Sequence, residues 1–165
     1  MAVRPNERTS GNGATTLLFP MSILELARAS ASTWMPAPPA SEDVASSVRQ
    51  RVGIDLPSDY LDFLRFSDGG CGSIPVDPWR FDSLWKATEL AEFNRNYQIP
   101  IYCPGFFGIG STGGGDMFAF DMRGEQPWPV VSIPCIGMEP AAALPVAPDF
   151  RSFVAMFGRK GDHAT

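Results

Sequence analysis

Apolar positions fall into short runs whose spacing changes along the chain, and each spacing predicts an element. Val44, Val48 and Val52 recur every fourth residue behind Ser41-Glu42-Asp43, a pattern that fits an N-cap with two acids in the first turn, and Gly53 closes that helix. Pro57-Ser58-Asp59 opens a second helix at once. Tyr60, Leu61, Phe63, Leu64 and Phe66 make most of it apolar, as a core helix requires, until Asp68-Gly69-Gly70 ends it. From Gly72 the segments shorten. The pattern predicts a strand over 72–76 and an irregular Asp77-Pro78-Trp79. Asp82 or Ser83 then caps a helix reaching about Tyr97, with Leu84, Trp85, Leu90 and Phe93 on its apolar side. Pro100 and Pro104 break 99–103, after which 106–110, 117–121 and 130–133 read as three compact apolar strands. Ala147-Pro148-Asp149 introduces a last helix over 150–157, with Phe150, Phe153, Val154 and Phe157 on one side. Two helices, an antiparallel meander with one helical insertion and a closing helix define an α+β fold rather than an α/β one.

The head of the chain reads differently. Residues 1–36 form a leader, polar through about residue 15, with helical spacing of Ile23, Leu24 and Ala27 over 21–31, and Pro36-Ala37-Pro38-Pro39 links it to the domain over 37–158. Residues 159–165 are a polar tail. Arg4, Arg8 and the apolar run over 15–24 imitate a secretory signal, but Pro20 interrupts the run and Glu25 follows it. Met21 is an alternative start. No window approaches the ~20 apolar residues of a membrane span, so a cytoplasmic protein is expected.

Composition narrows the chemistry. At 165 residues the chain is long enough for one domain with a real core, and 44% hydrophobic against 19% charged residues suits a soluble one. A net charge of −5 weighs against binding to nucleic acid or to an anionic membrane, both of which attract basic faces. Cys71, Cys103 and Cys135 are odd in number and form no C-x-x-C pair, which reads as free thiols in a reducing compartment. The only histidine, His163, stands in the polar tail, which removes a Ser-His-Asp triad and most zinc catalysis.

One motif invites an enzymatic reading. Gly108-Ile109-Gly110-Ser111-Thr112-Gly113 spells the G-x-G-x-x-G of a dinucleotide loop. Such a loop works only when a helix follows, because the pyrophosphate sits on that helix's N-terminal amides. Here Gly113-Gly114-Gly115 leads into Asp116-Met117-Phe118-Ala119-Phe120-Asp121, which has strand texture, and the acidic residue expected further on is missing. The segment therefore predicts a glycine turn between two antiparallel strands, with nucleotide binding over 108–116 a remote alternative.

The order of these motifs resembles the SUKH superfamily, the family of the yeast cell-wall assembly regulator Smi/Knr and many bacterial relatives. The resemblance rests on Leu56-Pro57-Ser58-Asp59-Tyr60 with Phe63-Leu64 and Asp68-Gly69-Gly70. It rests also on Ile109-Gly110-Ser111 with Gly113-Gly114-Gly115-Asp116 and on Phe150-Arg151-Ser152-Phe153, and it covers about 37–158. It implies a single, mainly antiparallel sheet flanked by helices, no enzymatic activity and no cofactor. It further implies either an immunity protein that neutralises a bacterial toxin, often a nuclease, or a regulatory scaffold module like the yeast protein. An acidic chain would meet a basic nuclease faster through electrostatic steering.

Partner contacts are expected from exposed acids and tryptophans: Asp68, Asp77, Trp79, Asp82, Asp116 and Trp128. Asp68 also suits a turn, since its side chain reaches nearby amides. Asp116 and Asp121 stand an odd number of positions apart on one strand, so they point to opposite faces and do not make a paired-carboxylate site. Asp121 suits the shaping of the next turn. Ser111 and Thr112 lack a nearby base, and no spacing recommends a metal site.

Overall fold

Local capping sets the helices. Ser41 Oγ accepts the Val44 N–H at 3.3 Å, Gly53 closes the helix at φ 71°, and Asp149 Oδ1 accepts the Ser152 N–H at 2.7 Å. The computed structural model describes residues 21–30, 34–73 and 82–157. In chain order the elements are α1 (Ile23–Ala29), β1 (Trp34–Pro36), α2 (Glu42–Val52), α3 (Ser58–Phe66), β2 (Gly70–Gly72), β3 (Asp82–Leu84), α4 (Leu90–Asn96) and α5 (Ile99–Tyr102). After these come β4 (Phe106–Ser111), β5 (Asp116–Asp121), β6 (Val130–Pro134), a 3-10 turn over Pro140–Ala142, β7 (Leu144–Ala147) and α6 (Phe150–Ala155). Seven strands make one antiparallel sheet in sequence order, β1 to β7. This is the expected α+β class with helices flanking a single sheet.

One layer of helices is aromatic. Phe118 and Phe120 of β5 meet Phe153 and Phe150 of α6 at 5.1 and 6.0 Å between ring centroids, and Tyr60 of α3 stands edge-on to Phe120 at 5.4 Å. Each such buried ring contributes roughly 1.5–3 kcal/mol through removal from water. α1 lies against α3 and α6 with Ile23 and Ala27 buried, and Trp34 of β1 stacks on Phe157 at 4.4 Å. The folded body thus begins before residue 37, inside the expected leader. The proline-rich stretch is tied down as well: Ser67 Oγ accepts the Ala37 N–H at 3.0 Å, and the Asp68 N–H bonds the Pro38 carbonyl at 3.2 Å.

The opposite face of the sheet carries α4 and α5 against β4. Gly108 makes this approach possible, since a Cβ there would come within 2.7 Å of Ile99 Cδ1 and 2.9 Å of the Trp85 ring. The helix expected from Asp82 or Ser83 is not formed at its start. Ser83 and Leu84 instead pair with Ser111 and Gly110 on one side and with Cys71 and Gly70 on the other, and the helix begins only at Leu90. Ladder bonds to two neighbours outweigh a local capping signal. Pro100 does not break 99–103 either: it sits in the first turn of α5, where its missing N–H costs nothing.

The glycine motif is a hairpin. β4 turns directly into β5, the Thr112 N–H bonds the Asp116 carbonyl at 2.9 Å, and Thr112 Oγ1 accepts from Gly114 N at 3.2 Å. Gly113 (φ 63°) and Gly115 (φ 95°) take the left-handed region that the turn needs, whereas Gly114 does not. A strand, not a helix, succeeds the turn.

Candidate protein-docking surface

Because β3 reaches only Gly110 and Ser111, the first part of β4 is paired with β5 on one side but has no strand on the other. The Trp85 N–H takes the Ile109 carbonyl at 2.9 Å, and beyond that point a side chain replaces the missing strand. Asn94 of α4, buried, accepts the Gly108 N–H through Oδ1 at 2.7 Å and donates through Nδ2 to the Gly108 carbonyl at 2.9 Å and the Leu90 carbonyl at 2.8 Å. One carboxamide thereby closes a buried backbone edge and fixes where α4 ends.

An abrupt corner separates α4 from α5. Gln98 takes φ 55° and ψ 34°, a left-handed conformation uncommon outside glycine, which swings α5 away from α4. Ile99 and Cys103 anchor the ends of α5 in the core, and the residues between them are pushed outward: Ile101 is 70% exposed and Tyr102 54%. Tyr97, 43% exposed, is held by stacking on Trp85 at 5.8 Å. Ile136, 92% exposed, is the neighbour of Cys135, which lines a 230 Å³ depression together with Tyr97, Tyr102, Gly137 and Met138. The result is an apolar ridge of Tyr97, Ile101, Tyr102 and Ile136. Clustered apolar exposure of this kind makes the ridge a candidate contact surface.

On the other flank of the ridge runs a groove of about 580 Å³, between the C-terminal end of α2, α4 and the α5–β4 junction. Val52, Ile54, Ile101, Phe106 and Met122 supply its apolar lining, and Arg51 and Arg95 stand on its rim. Among the described residues, no Asp or Glu lines it. Arg123 lies over the Phe106 ring at 4.7 Å while binding Asp121, so that arginine is engaged.

Of the expected contact residues, Asp68, Asp116 and Trp128 stand apart. Asp68 is half-buried and its Oδ1 accepts the Ala87 N–H at 2.7 Å, which ties the end of α3 to the segment after β3. Trp128 is half-buried against Phe120, with its Nε1 donating to the Gly124 carbonyl at 2.9 Å. Both thus serve the interior of the fold. Asp116 is half-buried opposite Pro134 at the hairpin end of β5, the end away from Trp128. Asp82 lies in β3 opposite Gly72, and Asp77 and Trp79 lie outside the described residues. Asp121 shapes its turn as expected, accepting the Arg123 N–H at 3.1 Å. Residue type alone points to neither the ridge nor the two arginines. The signal available was Ile-Pro-Ile-Tyr-Cys-Pro (99–104), a stretch of large apolar residues held between prolines.

Among the described residues, several potentially reactive groups are buried or already bonded. Burial pushes the thiols of Cys103 and Cys135 up, which disfavours the nucleophilic thiolate. Thr112 Oγ1 is committed to the hairpin, and among the described residues no cluster of His, Cys, Asp and Glu could hold a metal ion. Nor, among those residues, is any helix long and apolar enough to cross a membrane.

A continuous antiparallel sheet with helices on both faces, carrying an exposed apolar ridge beside a groove, defines an α+β domain. The model of the SMI1 / KNR4 family (SUKH-1) matches residues 39–156, and the chain belongs to that family. No curated protein matches the chain.

Proposed function

We propose that this chain is a non-catalytic binding domain that acts as an immunity protein. In the cytoplasm of a bacterium it neutralises a polymorphic or contact-dependent toxin, often a nuclease, by stoichiometric occupation of the toxin. The observation that carries the reading is the ridge of Tyr97, Ile101, Tyr102 and Ile136, large apolar groups left in solvent, with Ile101 and Tyr102 turned outward after the corner at Gln98. Binding alone suffices for such a role, which agrees with side chains whose reactive groups are buried or already bonded. The test is co-expression with the toxin domain encoded beside the gene. The wild type restores growth and co-purifies with the toxin, whereas the exposed double variant Ile101→Asp, Tyr102→Asp folds normally and loses both. A wild type that gives no protection, or a ridge variant that protects equally well, overturns the reading.

A further inference from the structure

The described arginines divide cleanly. Arg49 pairs with Asp55, Arg65 with Glu42 and Asp62, Arg123 with Asp121, and Arg151 with Asp59 and the Met21 carbonyl, while Arg28 lies over the Phe66 ring. Arg51 and Arg95 alone among the described arginines have no carboxylate or ring partner, and both stand on the same groove. In a chain with 18 acidic and 13 basic residues, carboxylates were available to quench them. Each arginine sits in the last turn of its helix, α2 or α4, where a cation suits the helix dipole, and the two ends bring both unpaired charges to one groove.

We propose that the groove between α2 and α4 receives an extended acidic segment of the partner protein. An apolar side chain of that segment enters over Val52, Ile54 and Met122, and its flanking carboxylates meet Arg51 and Arg95. The inference rests on the protein-binding reading above and adds the chemistry of the partner's contact. The groove's volume of about 580 Å³ falls within the about 300–1,000 Å³ of ligand-sized clefts, room for a side chain or two of an extended segment but not for a domain. Its walls are apolar and its rim doubly cationic, which selects against lysine-rich segments by like-charge repulsion. The polar floor is already satisfied, because Asn94 commits its hydrogen bonds to Gly108 and Leu90. The chain's own ends are poor occupants. Residues 1–20 carry Arg4 and Arg8 against Glu7, and residues 158–165 carry Arg159 and Lys160 against Asp162, so each end is more basic than acidic. Where the partner is a basic nuclease, this predicts that the immunity contact lies on an acidic stretch of it, away from its nucleic-acid-binding face.

The test uses the full chain and fluorescein-labelled short peptides in fluorescence anisotropy: one set alternating Asp or Glu with Leu or Phe, and a matched set with Lys in place of the acids. The acidic set binds, weakens as salt rises, and outcompetes the Lys set. The Arg51→Glu, Arg95→Glu variant, altered only at exposed positions, stays folded with a modestly lowered unfolding midpoint, since both sites are in the last turn of a helix, binds the acidic set about tenfold or more weakly and reverses the preference toward Lys peptides. Arg51→Lys, Arg95→Lys retains the preference for acids. Absence of acidic-peptide binding, equal binding of the Lys set, or an unchanged preference after charge reversal overturns the proposal. In the co-expression assay, protection that survives the arginine reversal but not the ridge substitution sinks this proposal alone; protection that survives both sinks the docking surface itself.

Discussion

Replacing Asn94 tests how β4 is completed on the side where β3 falls short. Asn94→Leu keeps the branching and number of side-chain heavy atoms but removes the acceptor of the Gly108 N–H and the donor to the Gly108 carbonyl, both buried against α4, and adds bulk that can only deepen the loss. Leaving a buried polar group unpaired costs about 1–3 kcal/mol. Two such groups set an expected loss of about 2–5 kcal/mol, a large share of the about 5–15 kcal/mol that holds a domain folded. Asn94→Asp separates geometry from hydrogen-bonding polarity. Its carboxylate still accepts from Gly108 N but faces the Gly108 and Leu90 carbonyls, to which Asn94 Nδ2 now donates at 2.9 and 2.8 Å. Burial beside two acceptors favours the protonated form, so the introduced carboxyl has a folded-state pKa above its unfolded value. A raised pKa gives stability that is fully present below the unfolded value and lost as pH rises through the folded one. The Asn94→Asp variant therefore falls further below wild type at neutral pH than at about pH 4. Urea unfolding across that range, with hydrogen exchange at the Gly108 amide, measures both effects. An Asn94→Leu variant within about 0.5 kcal/mol of wild type, the range of ordinary surface substitutions, refutes the account. So does an Asn94→Asp variant whose deficit is independent of pH.

The hairpin glycines are not equivalent. Gly113→Ala and Gly115→Ala each lower stability by about 1–2 kcal/mol through left-handed strain, whereas Gly114→Ala, whose Cβ would rest 3.6 Å from Thr112 Oγ1, is neutral or gains up to about 1 kcal/mol; equal losses in thermal melts at all three positions contradict the assigned turn. Asp121 supplies a pH test, because the Arg123 guanidinium bonded to it holds its carboxyl below the usual carboxylate range. A lowered folded-state pKa gives stability above the unfolded value of about 3.9 that is lost as pH falls through the folded one. The stability difference between wild type and Asp121→Asn is thus constant at neutral pH and shrinks below about pH 4, and a difference undiminished in acid refutes the pair's contribution.

The elements legible in the sequence are those specified by neighbours along the chain. Ser41 with Gly53, Asp149 with its helix, and the apolar runs of β4, β5 and β6 needed no tertiary information. The elements missed are those specified across the sheet. β1 is three residues ending in Pro36, too short to show a period, and its strand character comes from pairing Trp34 with Gly72. β7 contains Pro145, which reads as a strand breaker yet is tolerated because β7 is the edge of the sheet. Asp82-Ser83 carries a helix-start signal that pairing on both sides overrides. The exposed ridge was not legible for a related reason. Asp68 and Trp128 have the composition of contact residues, but the fold commits their polar groups to Ala87 and Gly124. Ile101 and Tyr102 have the composition of core residues, and only the corner at Gln98 turns them outward.

That corner explains why the ridge suits binding rather than merely being left over. Ile99 and Cys103 are wholly buried at the two ends of α5, and Pro100 restricts the backbone between them. Gln98 holds a conformation that costs about 1–2 kcal/mol for a residue with a Cβ, and the neighbouring Trp85–Tyr97 stack helps keep it there. A loop free to relax would shed this strain and bury more of Ile101 and Tyr102. Anchored at both ends of α5, the segment would present these apolar groups to the proposed partner on a fixed backbone. Association then avoids much of the ordering cost of a flexible loop, where each immobilised side chain alone costs about 0.5–1.5 kcal/mol. The strain at Gln98 is borne once, when the chain folds, and binding loses correspondingly less to ordering.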